Sequence, residues 1–212
     1  HMWNYYNRTM VKILLLRHGQ SEWNVLGRWQ GSQGDPELTE AGRRQAKESV
    51  QNLSEISKVY SSPLKRALET AQIISDDLNL NEPILEPRLV EKNVGEWSGL
   101  TTDEIESKWP DYIATGKRPD SFETNEDLVD RGVKALIKIA KDSPNDTVCA
   151  VAHGGITGKL AEHANRFDND IELVRLRNCQ GWWIEVDLET EELKLLGFFE
   201  NNQSGFIDNF IL

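Results

Sequence analysis

The chain is 212 residues long, with 38% hydrophobic and 28% charged residues, a balance that fits a folded globular protein rather than a disordered one. Its 24 basic and 35 acidic residues leave a net charge of −11. That charge argues against sequence-independent nucleic-acid binding and against docking on anionic membranes, while permitting a local cationic pocket. Apolar runs such as Ile13–Leu16 are far too short to span a bilayer, and no secretory signal pattern opens the chain. Cys149 and Cys179 make no disulfide framework, and Cys149, inside an apolar run, is expected to be a reduced core thiol. Cytoplasmic residence is the expectation. Residues 1–9 read as a tag remnant (His1-Met2) with an N-terminal extension, 10–200 as one domain, and 201–212 as a C-terminal tail.

In chain order, Val11–Leu16 reads as a buried strand, followed by a Gly-rich polar stretch from Arg17 to Glu37. A helix begins after Thr39 as N-cap, with Ala41, Ala46, Val50 and Leu53 along one face. Lys58–Tyr60 reads as a short strand, and Ser62-Pro63 opens a second helix with proline in its first turn. Leu64, Ala67, Leu68, Ala71, Ile74 and Leu78 form the apolar stripe of that helix. Ile84–Leu85 is a further short strand, and Glu91–Leu100 is irregular. Helices are expected over Thr102–Lys108, Asn125–Lys141 and Ile156–Asn165, and strands over Thr147–Ala152, Gly181–Leu188 and Leu193–Phe199. Alternating strands and helices imply an α/β sandwich with a mostly parallel sheet.

In such sheets ligands bind at the carboxyl ends of the strands. Arg17 and His18 follow the first strand directly, Arg66 lies early in the helix after the second, and His153-Gly154-Gly155 joins the fourth to a helix. Two arginines and two histidines from distant stretches thus share one edge. Guanidinium forks match phosphate oxygens. The helix N-terminus at Gly154 adds backbone donors. Unprotonated imidazole can carry a phosphoryl group, and neighbouring arginines favour the unprotonated form. Glu91 and Glu96, in the Gly-rich stretch, are the candidate acids for the leaving oxygen. The three histidines outside the tag show no metal-ligand spacing.

Four segments carry a resemblance. Leu16-Arg17-His18-Gly19-Gln20-Ser21-Glu22-Trp23-Asn24 resembles the signature of the phosphoglycerate-mutase-like branch of the histidine phosphatase superfamily. Ser61-Ser62-Pro63-Leu64-Lys65-Arg66-Ala67-Leu68-Glu69-Thr70-Ala71 is similar to that family's second motif. Leu89-Val90-Glu91 with Gly95-Glu96-Trp97-Ser98-Gly99 resembles its acid-bearing segment, and Val151-Ala152-His153-Gly154-Gly155 its last motif. The four occur in the family's order. The resemblance implies a three-layer α/β/α sandwich, the phosphoglycerate-mutase-like fold. It implies His18 as phosphorylated nucleophile and Glu91 as proton donor. Arg17, Arg66, His153, Gly154 and Asn24 would be phosphate ligands, and Gln30 a substrate contact. The expected activity is hydrolysis of a small phosphorylated metabolite without metal or cofactor. The alternatives are a phosphoglycerate mutase and a non-catalytic phospho-ligand-binding protein on the same fold. Gln20 stands where mutases more often carry Glu. Only Gly99–Phe122 separates the Gly-Glu-Trp-Ser-Gly stretch from Glu123, little chain for the lid a mutase needs. Ser121-Phe122-Glu123-Thr124 replaces the family's usual Gly-Glu-Ser stretch.

Overall fold

The computed structural model describes residues 9–201. The expected tag remnant and extension before Thr9, and the tail beyond Asn201, lie outside the described residues. Six strands make one sheet in the order β3-β2-β4-β1-β5-β6. They are β1 (Met10–Arg17), β2 (Lys58–Ser61), β3 (Ile84–Leu85), β4 (Val148–Ala152), β5 (Gly181–Asp187) and β6 (Leu193–Phe199). The first four run parallel, while β5 pairs antiparallel with β1 and β6 antiparallel with β5.

The side-chain period of 2 along a strand divides the core. Val11, Ile13 and Leu15 of β1, with Val148, Ala150 and Ala152 of β4, pack against helices α6 (Asn125–Asp142) and α7 (Gly154–Ala164). Leu14, Leu16, Cys149 and Val151 face the other way, toward α3 (Lys65–Asp77) and the segment 50–56 that follows α2 (Glu40–Ser49). The central strands are buried on both faces, which is why they read as continuous apolar runs. Three short helices complete the fold: α1 (Glu22–Leu26), α4 (Thr102–Lys108) and α5 (Tyr112–Thr115). Cys149 and Cys179 are free, buried thiols, and burial pushes Cys149 up to about 12.

Three boundaries differ from the sequence reading by two residues or more. Pro63 precedes α3 instead of sitting in its first turn. Proline keeps Ser62 extended, Ser62 Oγ accepts from the Leu64 N–H, and Asp35 reaches across to accept the Lys65 N–H at 2.7 Å. α2 ends at Ser49 and tightens into a 3₁₀ turn over Val50–Asn52 that delivers Leu53 to the core. α7 begins at Gly154, two residues early, because a carboxylate from elsewhere caps it. The stretch from Val94 to Phe122 forms its own apolar cluster, with Val94, Trp97 and Ile105 buried and Trp29, Trp109 and Phe122 packed on them. Trp97 thereby serves core packing, edge-to-face against Trp29 and Phe122.

Candidate active site

Strand register brings the candidate residues to one place. Arg17 at the end of β1 pairs with Ala152 at the end of β4, and Val151 pairs with Ser61 of β2. The next residue on each strand, His18, His153 and Ser62, therefore emerges side by side at the carboxyl edge. The His18 and His153 ring centroids lie 5.3 Å apart, and His153 Nε2 meets Ser62 Oγ at 2.8 Å. Backbone contact holds the turn after His18: a Cβ on Gly19 would stand 2.5 Å from the Gly42 carbonyl oxygen, and one on Gly42 would stand 2.1 Å from that of Gln20. Thr70 of α3 accepts the Gly19 N–H, while the Asn178 amide donates to the His18 carbonyl.

His18, Arg66, Glu91 and His153 expose 2%, 1%, 2% and 0% of their surface, so water hardly screens their charges. Burial, then the charges of Arg66 and Arg17, holds His18 well below the ordinary histidine range. Its Nδ1 lies 2.6 Å from the Gly19 carbonyl oxygen, which assigns the proton to Nδ1 and leaves the Nε2 lone pair exposed to attack an electrophile. Burial, then Arg66, lowers His153 likewise. Burial also pushes Arg17 and Arg66 down to about 10, each partly offset by Glu91, so both stay cationic at neutral pH.

Each remaining residue is anchored by bonds that fix its orientation. Arg17 donates to the Leu176 carbonyl and lies against the bare first turn of α7, its Nε 3.4 Å from where a Gly154 Cβ would stand. Arg66 donates to the carbonyls of Gly31 and Gly34, both at 2.9 Å. Asn24 Oδ1 accepts from the Ser21 N–H and the Asn178 amide, which turns its NH₂ end away as a donor. Gln30 Oε1 accepts from Ser21 Oγ, so Gln30 likewise offers its NH₂ end. Glu91 caps α7: its carboxylate accepts from the N–H groups of Gly155 and Ile156 at 2.8 and 3.0 Å, and from Lys92. Glu96, the other candidate acid, is exposed. Among the described residues, Asn24 Nδ2, Arg66 Nε and His153 Nδ1 are buried with no hydrogen-bond partner. Orphaned buried polar groups cost about 1–3 kcal/mol each, so three around one histidine suit a ligand rich in acceptor oxygens.

Sequence reasoning passed over several supports. Ser62 lay in a quoted motif with no role, and Asn178 gave no local signal. Arg131 donates to Glu123 and to the carbonyls of Arg88, Val90 and Glu91, tying down the segment that carries Glu91. Glu123, in the stretch that departs from the family pattern, is thus the anchor of that guanidinium. Among the described residues no group of three or more His, Cys, Asp or Glu could hold a metal, and no helix is long and apolar enough to cross a membrane.

Comparison with known proteins agrees with this architecture. The chain is 41% identical over 152 residues to phosphoserine phosphatase 1 of Hydrogenobacter thermophilus, covering 68% of this chain and 71% of that one. It is 32% identical to the metal-independent phosphoserine phosphatase of Arabidopsis thaliana, over 92% of this chain and 89% of that one. Among solved structures, a phosphoserine phosphatase from Entamoeba histolytica in complex with phosphoserine superposes with a TM-score of 0.72 at 27% identity, covering 91% of this chain and 98% of that one. The model of the histidine phosphatase superfamily (branch 1) matches residues 13–198, and the chain belongs to that family.

Proposed function

We propose that this protein hydrolyses a small phosphate monoester in two displacements through a phosphohistidine on His18, with no metal. His18 Nε2 attacks phosphorus, the bond to the alcohol oxygen breaks, and Glu91 gives that oxygen its proton. Water then attacks the phosphohistidine, Glu91 takes back a proton, and inorganic phosphate leaves. Arg17, Arg66, His153, Asn24 and the N-terminus of α7 at Gly154 hold the phosphoryl oxygens, and Gln30 touches the substrate. Catalysis of this kind rests on positioning and charge stabilisation.

The observation that carries this reading is a neutral, buried imidazole beside two buried guanidinium groups and three orphaned polar atoms. Cationic residues supply the charge that a metal pair supplies elsewhere, and likeness to the metal-independent phosphoserine phosphatase of Arabidopsis supports metal independence. The test is turnover of an aryl phosphate before and after EDTA dialysis, with vanadate as inhibitor. Activity should survive chelation, and vanadate should suppress it by adopting the five-coordinate geometry of the transition state. Loss on chelation that magnesium or zinc restores would overturn the metal-free mechanism. Supplying 3-phosphoglycerate with a trace of 2,3-bisphosphoglycerate separates hydrolysis from isomerisation: phosphate release should outpace formation of 2-phosphoglycerate, and the reverse would make the protein a mutase.

A further inference from the structure

A cleft of about 400 Å³ leads from Arg17, Gly154 and Gly155 outward along α7, between Lys159 on one side and Leu173–Leu176 on the other. Its cations are not a product of bulk composition, since the chain carries a net charge of −11. Lys159 belongs to α7 and Arg175 to the loop before β5, and both line the cleft with Arg17. The nearby Lys92 and Arg118 do not line the cleft. Lys92 donates to Asn125 at 2.5 Å, and Arg118 stacks on the Trp97 ring at 5.0 Å.

The geometry points to an anion-recognition subsite formed by Lys159 and Arg175 that selects phosphate esters whose alcohol part carries a second anionic group. This rests on the reading of His18 and Glu91 as a phosphatase pair. The leaving oxygen must sit beside Glu91, whose carboxylate is held by the Gly155 N–H. Lys159 stands one helical turn beyond Gly155, about 6 Å along the axis. Side chains on a helix lean toward its N-terminus, so the ammonium can lie back over that turn once it leaves Glu162. No side chain intervenes at Gly155 or Gly158, and a Cβ at Gly158 would meet nothing within 4 Å. An anion three to five bonds from the ester oxygen can therefore reach Lys159 and Arg175, which line the cleft, while the phosphoryl group rests on Arg17. The half-exposed Leu173 and Val174 form an apolar rim, which strengthens charge recognition by excluding water. Glu162 also lines the cleft and pairs with Lys159 at 3.0 Å. That pair is exposed, and an incoming anion displaces it at small cost.

The test compares kcat/KM for 3-phosphoglycerate and glycerol 3-phosphate, which differ by a carboxylate in place of a hydroxymethyl group. A second pair, 1,3-propanediol bisphosphate and propyl phosphate, asks the same of a second phosphate and so tells which anion the subsite takes. The wild-type protein should favour the anionic member of at least one pair by about 10- to 100-fold, the worth of a charge-assisted contact. Lys159→Ala and Arg175→Ala should each collapse that ratio within the variant, mainly through KM, and Lys159→Arg should retain it. A wild-type ratio near one in both pairs, or a ratio unmoved by both alanine variants, would overturn the subsite. An aryl phosphate is the control for the chemistry. Should no ester be turned over, the phosphatase reading falls, and calorimetric titration of the wild-type protein with the same compounds decides the subsite on binding alone. Preferential binding of the anionic member, lost in Lys159→Ala, supports it, and equal binding overturns it.

Discussion

At the scale of single residues, His18 and Glu91 make the sharpest claims. His18 is neutral because it is buried between two guanidinium groups, with its Nδ1 spent on the Gly19 carbonyl. His18→Ala should abolish turnover and remove the acid-labile phosphoenzyme that a rapid acid quench would otherwise trap. Near-native turnover by that variant would falsify the phosphohistidine. Glu91 makes a different prediction, since general acid catalysis contributes ~10²–10⁴-fold and matters least when the leaving group needs no proton. Glu91→Gln should therefore slow alkyl phosphates by a factor in that range and aryl phosphates far less, as read from kcat/KM on matched esters. The carboxylate also caps α7, so a melting curve should accompany the kinetics. Equal losses for both ester classes would make Glu91 a helix cap alone.

At the scale of elements, Glu91 owes its place to a charge pair between Arg131 of α6 and Glu123 just before that helix. Arg131 spends its donors on Glu123 and on the backbone carbonyls of Arg88, Val90 and Glu91. Burial opposes ionisation of Glu123, but the hydrogen bonds and charge of Arg131 outweigh it and hold that carboxyl below its usual range. Arg131 is a positioning residue. Arg131→Lys keeps the charge but loses the planar fork, and should shift the Glu91 loop. We expect alkyl phosphates to slow roughly 10- to 100-fold, the cost of a misplacement near 1 Å, with aryl phosphates less affected, the same signature as Glu91→Gln. A uniform loss across leaving groups would reduce the pair to a structural brace. The elements themselves were largely readable. The 3.6-residue stripe of α6 and the Thr39 cap of α2 are local features, and both appear where the pattern puts them. Pro63 and the start of α7 were misplaced because Asp35 and Glu91, far away in sequence, supply their caps.

At the scale of the whole molecule, two buried neutral histidines tie stability to pH. The unfolded chain takes up protons on both near pH 6.5, whereas the folded chain refuses them until well below that. The unfolded state therefore binds more protons as pH falls, and folding stability drops by up to about 1.4 kcal/mol per pH unit for each histidine. Denaturant midpoints should decline between pH 7 and 5, a window above the ordinary carboxylate range. The decline should be shallower in His18→Asn, and a pH-independent midpoint over that window would contradict the burial of neutral rings. Inorganic phosphate should raise the midpoint by mass action if the orphaned donors take it up.

The sequence by itself determined the layers, the family motifs and the residues on which the proposed chemistry rests. Apolar period, cap residues and four ordered motifs are local, and they mark the sheet, the helices, Arg17, His18, Arg66 and His153. Tertiary structure alone decided how these groups are held. The register of β1, β4 and β2 puts His18, His153 and Ser62 side by side. Burial makes both histidines neutral. Asn178, Arg131 and Glu123 orient the site across many intervening residues. The reason is physical: proton affinity and hydrogen-bond direction depend on every charge and dipole within several ångströms, and proximity between residues far apart in the chain leaves no trace in local pattern.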